Sequence, residues 1–119
     1  MGMIEWILLI IIIAFFVSRF MPAKGILNIS VQEAKSRFQD NSVQFIDVRT
    51  PGEYKTKHRD PFKNIPLSNL ANKIDKLEKE KEVIVICQSG MRSVKAAKIL
   101  KKHGFENVYN VKGGMSAWM

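Results

Sequence analysis

The stretch V-I-V-I-C-Q-S-G-M-R-S, Val83 to Ser93, decides how the rest of the chain is read. Its first four residues, Val83, Ile84, Val85 and Ile86, are β-branched and apolar without a break. A short run of that kind reads as a strand buried on both faces, as in a parallel sheet. Cys87, the only cysteine in the chain, stands where the strand ends. Gln88 to Met91 form a short loop containing Gly90, and Arg92 and Ser93 open a helical segment over Val94 to Lys102. A tight loop between strand and helix turns successive backbone N–H groups inward, and the helix N-terminus adds positive potential. Those surroundings lower a thiol's pKa and make the thiolate available. A lone cysteine after an apolar strand is otherwise a small buried hydrophobe. A core cysteine, however, needs neither a glycine-containing loop nor an arginine behind it.

Working outward, strands alternate with helices. Ser30-Val31-Gln32-Glu33 has the form of a capping box and predicts a helix from Val31 to about Phe38. Val43 to Val48 reads as a strand. Thr50-Pro51-Gly52-Glu53 repeats the capping pattern, with proline at the favoured first helical position. Ile65 is a very short strand candidate. Ser68 is expected to cap a charged helix reaching about Glu80, with Leu70, Ile74 and Leu77 on its inner face. After the helix over Val94 to Lys102, Gly104 is the expected C-cap. Asn107 to Val111 is the last strand, and Met115 to Trp118 form a final helical turn. Short strands alternating with helices imply an α/β fold, a parallel sheet with helices on both faces. The working site of such a sheet lies at the carboxyl ends of its strands, where Cys87 is placed.

The N-terminus is a separate object. Trp6 to Val17 contains no polar residue, and extending a helix from Met1 to Met21 gives roughly 30 Å, enough to cross a bilayer. The start lacks the basic residues of a signal peptide, and no small-x-small cleavage site follows. The expectation is therefore one uncleaved transmembrane helix over 1–21, a linker over 22–25 and a domain over 26–119. Arg19 and Lys24 follow the apolar run and nothing positive precedes it, which predicts a single-pass protein with its domain in the cytoplasm.

The net charge of +8 is spread along the chain with no arginine-rich tract. Few aromatics stand among the cations and no reader motif is present, which argues against nucleic acid. Lys95, Lys98, Lys101 and Lys102 read as a solvated helix face, or as a surface attracting anionic donors or anionic lipid. One cysteine makes no internal disulfide, and two isolated histidines make no case for a metal. No cofactor is expected.

Four segments taken together resemble the single-domain rhodanese family: F-I-D-V-R-T-P-G-E-Y at Phe45 to Tyr54, N-I-P-L at Asn64 to Leu67, C-Q-S-G-M-R-S at Cys87 to Ser93, and G-G-M-S-A-W at Gly113 to Trp118. The resemblance covers nearly all of the chain after Gly25. It implies a sulfurtransferase whose cysteine, Cys87, takes sulfane sulfur from thiosulfate or a persulfide. That cysteine then passes the sulfur to cyanide or a thiol, including a protein thiol. The segment Lys57 to Lys63 departs from the family pattern: its usual Gly-Ala pair is Pro61-Phe62 here, and its histidine, His58, lies between Lys57 and Arg59.

The residues themselves fit that chemistry. Backbone N–H groups of Gln88, Ser89, Gly90, Met91 and Arg92 can stabilise a thiolate or a persulfide anion. The Arg92 fork can hold a sulfonate's oxygens, and Gln88 and Ser89 can add side-chain hydrogen bonds. Asp47 and Arg49 read as an ion pair that fixes loops near the site, with Glu53 as a possible third member. His58 reads as structural. Two other classes remain. A phosphatase with a Cys and an Arg on the same fold has one residue more between them than the four found here. A membrane-tethered binding module without turnover would have no use for Cys87 and its cradle.

Overall fold

A computed structural model describes residues 2–20 and 26–118. The first helix, α1, covers Met3–Phe20, and its side chains from Met3 to Val17 are exposed. The membrane anchor expected here is overturned: no helix among the described residues is long and apolar enough to cross a membrane. The 18 residues of α1 rise about 27 Å, short of the roughly 30 Å of hydrocarbon. Glu5 and Arg19 fall inside that length and shorten its uncharged part further. The single-pass cytoplasmic placement falls with the span, because charge bias orients only a segment that crosses, and the lipid-bilayer partner is left without support. The proposed linker, residues 22–25, lies outside the described residues.

Among the described residues, five strands form one all-parallel sheet in the order β1-β5-β4-β2-β3, where β1 is Ile26–Ile29, β2 Val43–Asp47, β3 Lys63–Asn64, β4 Glu82–Ile86 and β5 Val108–Val111. The run that opened the reading is the central strand. Val83, Val85 and Cys87 face one core, with Leu70, Ala96, Ala97 and Leu100. Ile84 and Ile86 face the other, with Phe45, Phe62, Val111 and Trp118. The period-two alternation of a strand therefore feeds two apolar layers, which is why no polar residue interrupts it. Each fully buried valine, leucine, isoleucine or Phe62 among them contributes roughly 1.5–3 kcal/mol of apolar transfer. The helices α2 (Val31–Ser36), α3 (Pro51–Thr56), α4 (Leu67–Lys73) and α5 (Met91–Lys102) connect the strands.

Both capping boxes form. Glu33 N donates to Ser30 Oγ at 3.1 Å and Glu53 N to Thr50 Oγ1 at 3.2 Å, and each glutamate carboxylate accepts the reciprocal N–H. Four elements differ from expectation. β1 was not anticipated, because I-L-N-I is too short to show alternation and pairs only through β5. The very short strand expected at Ile65 lies at Lys63–Asn64. α4 starts at Leu67 behind Pro66, with no side-chain cap from Ser68, and ends at Lys73 in a 3-10 turn over Ile74–Lys76. The Gln44 side chain explains why it stops short: its amide both accepts from Glu78 N and donates to Glu78 O, each at 2.8 Å, and holds that backbone against β2. Last, α5 begins at Met91, three residues before Val94, with Gly90 in the left-handed region at φ 101° as its N-cap.

The segment that departs from the family pattern is resolved by packing. Phe62 is 1% exposed and meets Phe45 and Trp118 edge to face. Tyr54 Oη donates to Phe62 O at 2.9 Å, which ties the segment to α3.

Candidate active site

The chain leaves β2 towards β3 at one edge and leaves β4 towards β5 in the opposite direction. Adjacent strands whose connections diverge leave a crevice at their carboxyl ends. A cleft of about 350 Å³ opens there, lined by Arg49, Gly52, Glu53, Thr56, Lys57, Gln88 and Met115. Beside it Cys87 is fully buried, while Gln88, Ser89 and Met91 are exposed and Gly90 half-buried.

The cradle around the sulfur is built by the turn from β4 into α5. Gly90 N donates to Cys87 Sγ at 2.9 Å, and Ser93 Oγ lies 3.3 Å from it. Burial pushes the Cys87 thiol up, but the Ser93 hydroxyl and the backbone N–H groups of Ser93, Gly90 and Ser89 outweigh it. The net displacement is downward, towards the thiolate. Ser93 was read only as part of the helix start; its place six residues after Cys87, in the first turn of α5, is the signal that would have found it.

The other expected residues divide. Arg49 and Asp47 are 2% and 0% exposed. Arg49 Nε and Nη2 donate to the Asp47 carboxylate at 3.0 and 2.8 Å, Nη2 also donates to Lys57 O at 2.6 Å, and Nη1 donates to Gln88 Oε1 at 3.4 Å. The pair therefore links the loops after β2, α3 and β4. Glu53 does not join it. Its carboxylate takes both ends of the Arg92 guanidinium, at 2.7 and 2.9 Å. Arg92 holds Glu53 well below the usual carboxylate range, at about 2. That contribution is complete above the ordinary 4.5 and is lost as pH falls through about 2. His58 is exposed, stacks on the Tyr54 ring at 4.1 Å between centroids and bonds Tyr54 O through Nδ1 at 2.9 Å. It does not line the cleft.

The last segment clamps the loop from below. Met115 N donates to Cys87 O at 2.8 Å and Ser116 N to Gln88 O at 2.9 Å. Ser116 Oγ also donates to Gln88 O and accepts from Gln88 Nε2. The Gln88 side chain thus lies between Arg49 and Ser116, on the wall of the cleft. Gly114 makes the approach possible: a Cβ there would lie 2.2 Å from Cys87 O, and its φ is 57°. Gly114→Ala is expected to destabilise the protein by roughly 2–4 kcal/mol, from backbone strain and the loosened clamp. Thermal melting checks this; an unchanged melting temperature would show that the segment does not bear on the loop.

Residues 30–119 match the model of the rhodanese-like domain. An uncharacterised Bacillus subtilis protein, YqhL, is 33% identical over 117 residues, 98% of this chain and 92% of its own length. The thiosulfate sulfurtransferase GlpE of Shewanella oneidensis is 33% identical over 91 residues, 76% of this chain and 90% of the relative. The crystal structure of a rhodanese-like domain protein from Staphylococcus aureus superposes with a TM-score of 0.72 at 30% identity, covering 78% of this chain and 91% of that one. With a parallel sheet, a cysteine in an N–H cradle at its carboxyl edge and a family match over three quarters of its length, the chain belongs to the rhodanese-like domain family.

Proposed function

We propose that this protein is a sulfurtransferase that moves sulfane sulfur through a persulfide on Cys87. The observation that carries the reading is the cradle: N–H and O–H donors converge on one sulfur and favour its ionised form. The Cys87 thiolate attacks the outer sulfur of thiosulfate or of a persulfide. A new S–S bond forms, and sulfite or a thiolate leaves with the electron pair of the bond that breaks. A thiophilic acceptor, cyanide or a thiol, then attacks the outer sulfur and the Cys87 thiolate is released. The donors that stabilise the thiolate also stabilise the persulfide anion. Relatives are named for thiosulfate sulfurtransferase activity and as a putative sulfur carrier protein, which supports a small sulfur donor and a thiol acceptor here, including a protein thiol. The direct test is mass spectrometry after exposure to thiosulfate: a gain of one sulfur atom on Cys87 is expected, and its absence with every sulfane donor would end this reading.

Donor recognition involves Arg92. The guanidinium that would hold a sulfonate is already held by Glu53, so an anionic donor competes with that carboxylate. Arg92→Ala is expected to lower kcat/KM for thiosulfate roughly ten- to a hundred-fold, the worth of one charge-assisted contact. The loss with an uncharged persulfide is expected to be smaller. Glu53→Gln, which keeps the capping box, is expected to act oppositely and lower KM for thiosulfate. Equal losses with both donors, or no gain in Glu53→Gln, would mean that the ion pair only holds α3 against the loop.

A further inference from the structure

Behind the sulfur, the Ser93 hydroxyl of the cradle continues into Asn110 and Asn28, two polar side chains that the transfer chemistry does not use. Ser93 Oγ sits between three acceptors: Cys87 Sγ at 3.3 Å, Gly90 O at 3.1 Å and Asn110 Oδ1 on β5. Ser93 is fully buried and Asn110 is 4% exposed, so water does not make up a shortfall. At its other end the Asn110 amide donates from Nδ2 to Asn28 Oδ1 on β1 at 2.9 Å, with Oδ1 towards Ser93. A hydroxyl carries one hydrogen. It cannot serve the sulfur and Asn110 together.

We propose that Asn110 is a positioning residue that competes with the Cys87 sulfur for the single hydroxyl proton of Ser93, and so holds back the sulfur's ionisation. With Cys87 as a thiol, the sulfur, Ser93 and Asn110 are served in series: S–H donates to Ser93 Oγ, Ser93 O–H to Asn110 Oδ1, and Asn110 Nδ2 to Asn28 Oδ1. When the thiol loses its proton, the Ser93 hydrogen turns to the negative sulfur, and Asn110 Oδ1 is left facing an oxygen lone pair with no donor. The cost of that orphaned acceptor is charged to the thiolate state. β5 would thereby set the balance between a resting thiol and a reactive thiolate from the side of the sulfur away from the cleft. The charged groups at this end of the sheet are Arg92 on α5, Asp47 at the end of β2 and Arg49 after it, and Glu53 and Lys57 on and after α3. Substitution at Asn110 touches none of them.

The assignment rests on the Cys87 site but not on which sulfur compounds it handles, and its test needs no turnover. Cys87 is the only cysteine, so ultraviolet absorbance of the thiolate against pH, with Cys87→Ser as the blank, reads one group. Asn110→Leu removes the competing acceptor at similar volume, and Asn28 is exposed enough to turn to water. Its titration midpoint is expected about one pH unit below the parent's, because the freed hydroxyl proton goes to the charged sulfur in preference to the neutral Gly90 carbonyl. Ser93→Ala is expected to move it up by a similar amount. The Ser93→Ala/Asn110→Leu double variant is expected to match Ser93→Ala alone, since Asn110 acts only through that hydroxyl. A merely structural role would not give this sign reversal and epistasis. Asn110→Val, better suited to a strand, gives the same reading if leucine does not fold. An unchanged or raised midpoint in the Asn110 variant, or additive shifts in the double variant, overturns the proposal. A missing persulfide in the mass spectrum would overturn the sulfurtransferase reading and leave this titration standing.

Discussion

Cys87→Ser is expected to reduce sulfur transfer to background while leaving the fold in place. Serine matches the size of the thiol and can keep the Gly90 N–H and Ser93 contacts that now reach the sulfur. Stability should therefore change by no more than about 1 kcal/mol. Reactivity is another matter. The cradle moves the Cys87 thiol towards its thiolate, whereas a serine hydroxyl stays protonated at neutral pH and cannot carry a sulfane sulfur. Steady-state assay with thiosulfate and cyanide checks the first half, and thermal melting the second. Residual transfer near the parent's rate would remove Cys87 from the mechanism altogether. A collapse of both activity and melting would say that the cysteine is needed for packing, as a buried strand-end residue well can be.

Asp47→Asn is expected to have the largest effect on stability. The Arg49 guanidinium it leaves behind is 2% exposed. Neutralising one member of so deeply buried a pair leaves the other charge uncompensated, at roughly 3–5 kcal/mol. For a domain of this size that lowers the melting temperature by roughly 10 °C or more. Because Arg49 also reaches Lys57 O and Gln88 Oε1, activity should fall with stability as the cleft loosens. Replacing both partners, with Arg49→Met added to Asp47→Asn, is expected to recover part of the loss, since the stranded charge is then gone. If melting is unchanged while turnover collapses, the pair belongs to the chemistry and not to the scaffold.

The sequence by itself determined the central strand, the turn after it and the two capped helices. Each is written in neighbouring residues: four β-branched apolar side chains at Val83 to Ile86, a glycine three residues after Cys87, and Ser or Thr three residues before a glutamate. Local hydrogen bonds and a two-residue period suffice for such features, so the location of Cys87 at the carboxyl edge of a parallel sheet was legible before any coordinates. The Asp47–Arg49 pair was legible for the same reason, being two residues apart on one strand end.

What only the tertiary structure decided involves partners distant in sequence. Glu53 was expected beside Asp47 and Arg49; it meets Arg92, 39 residues away, because the fold brings the first turn of α3 against the first turn of α5. Asn110 reaches Ser93 and Asn28 because β5 lies between β1 and β4, an order that no local pattern encodes. Gly114 shows as part of a family motif, but its need to be glycine comes from a carbonyl 27 residues earlier. The end of α4 is likewise set from outside, by Gln44. The amino-terminal helix is the case where composition misled: an apolar run is counted residue by residue, but crossing a bilayer is a matter of length, and α1 with Glu5 and Arg19 inside its bounds does not supply it.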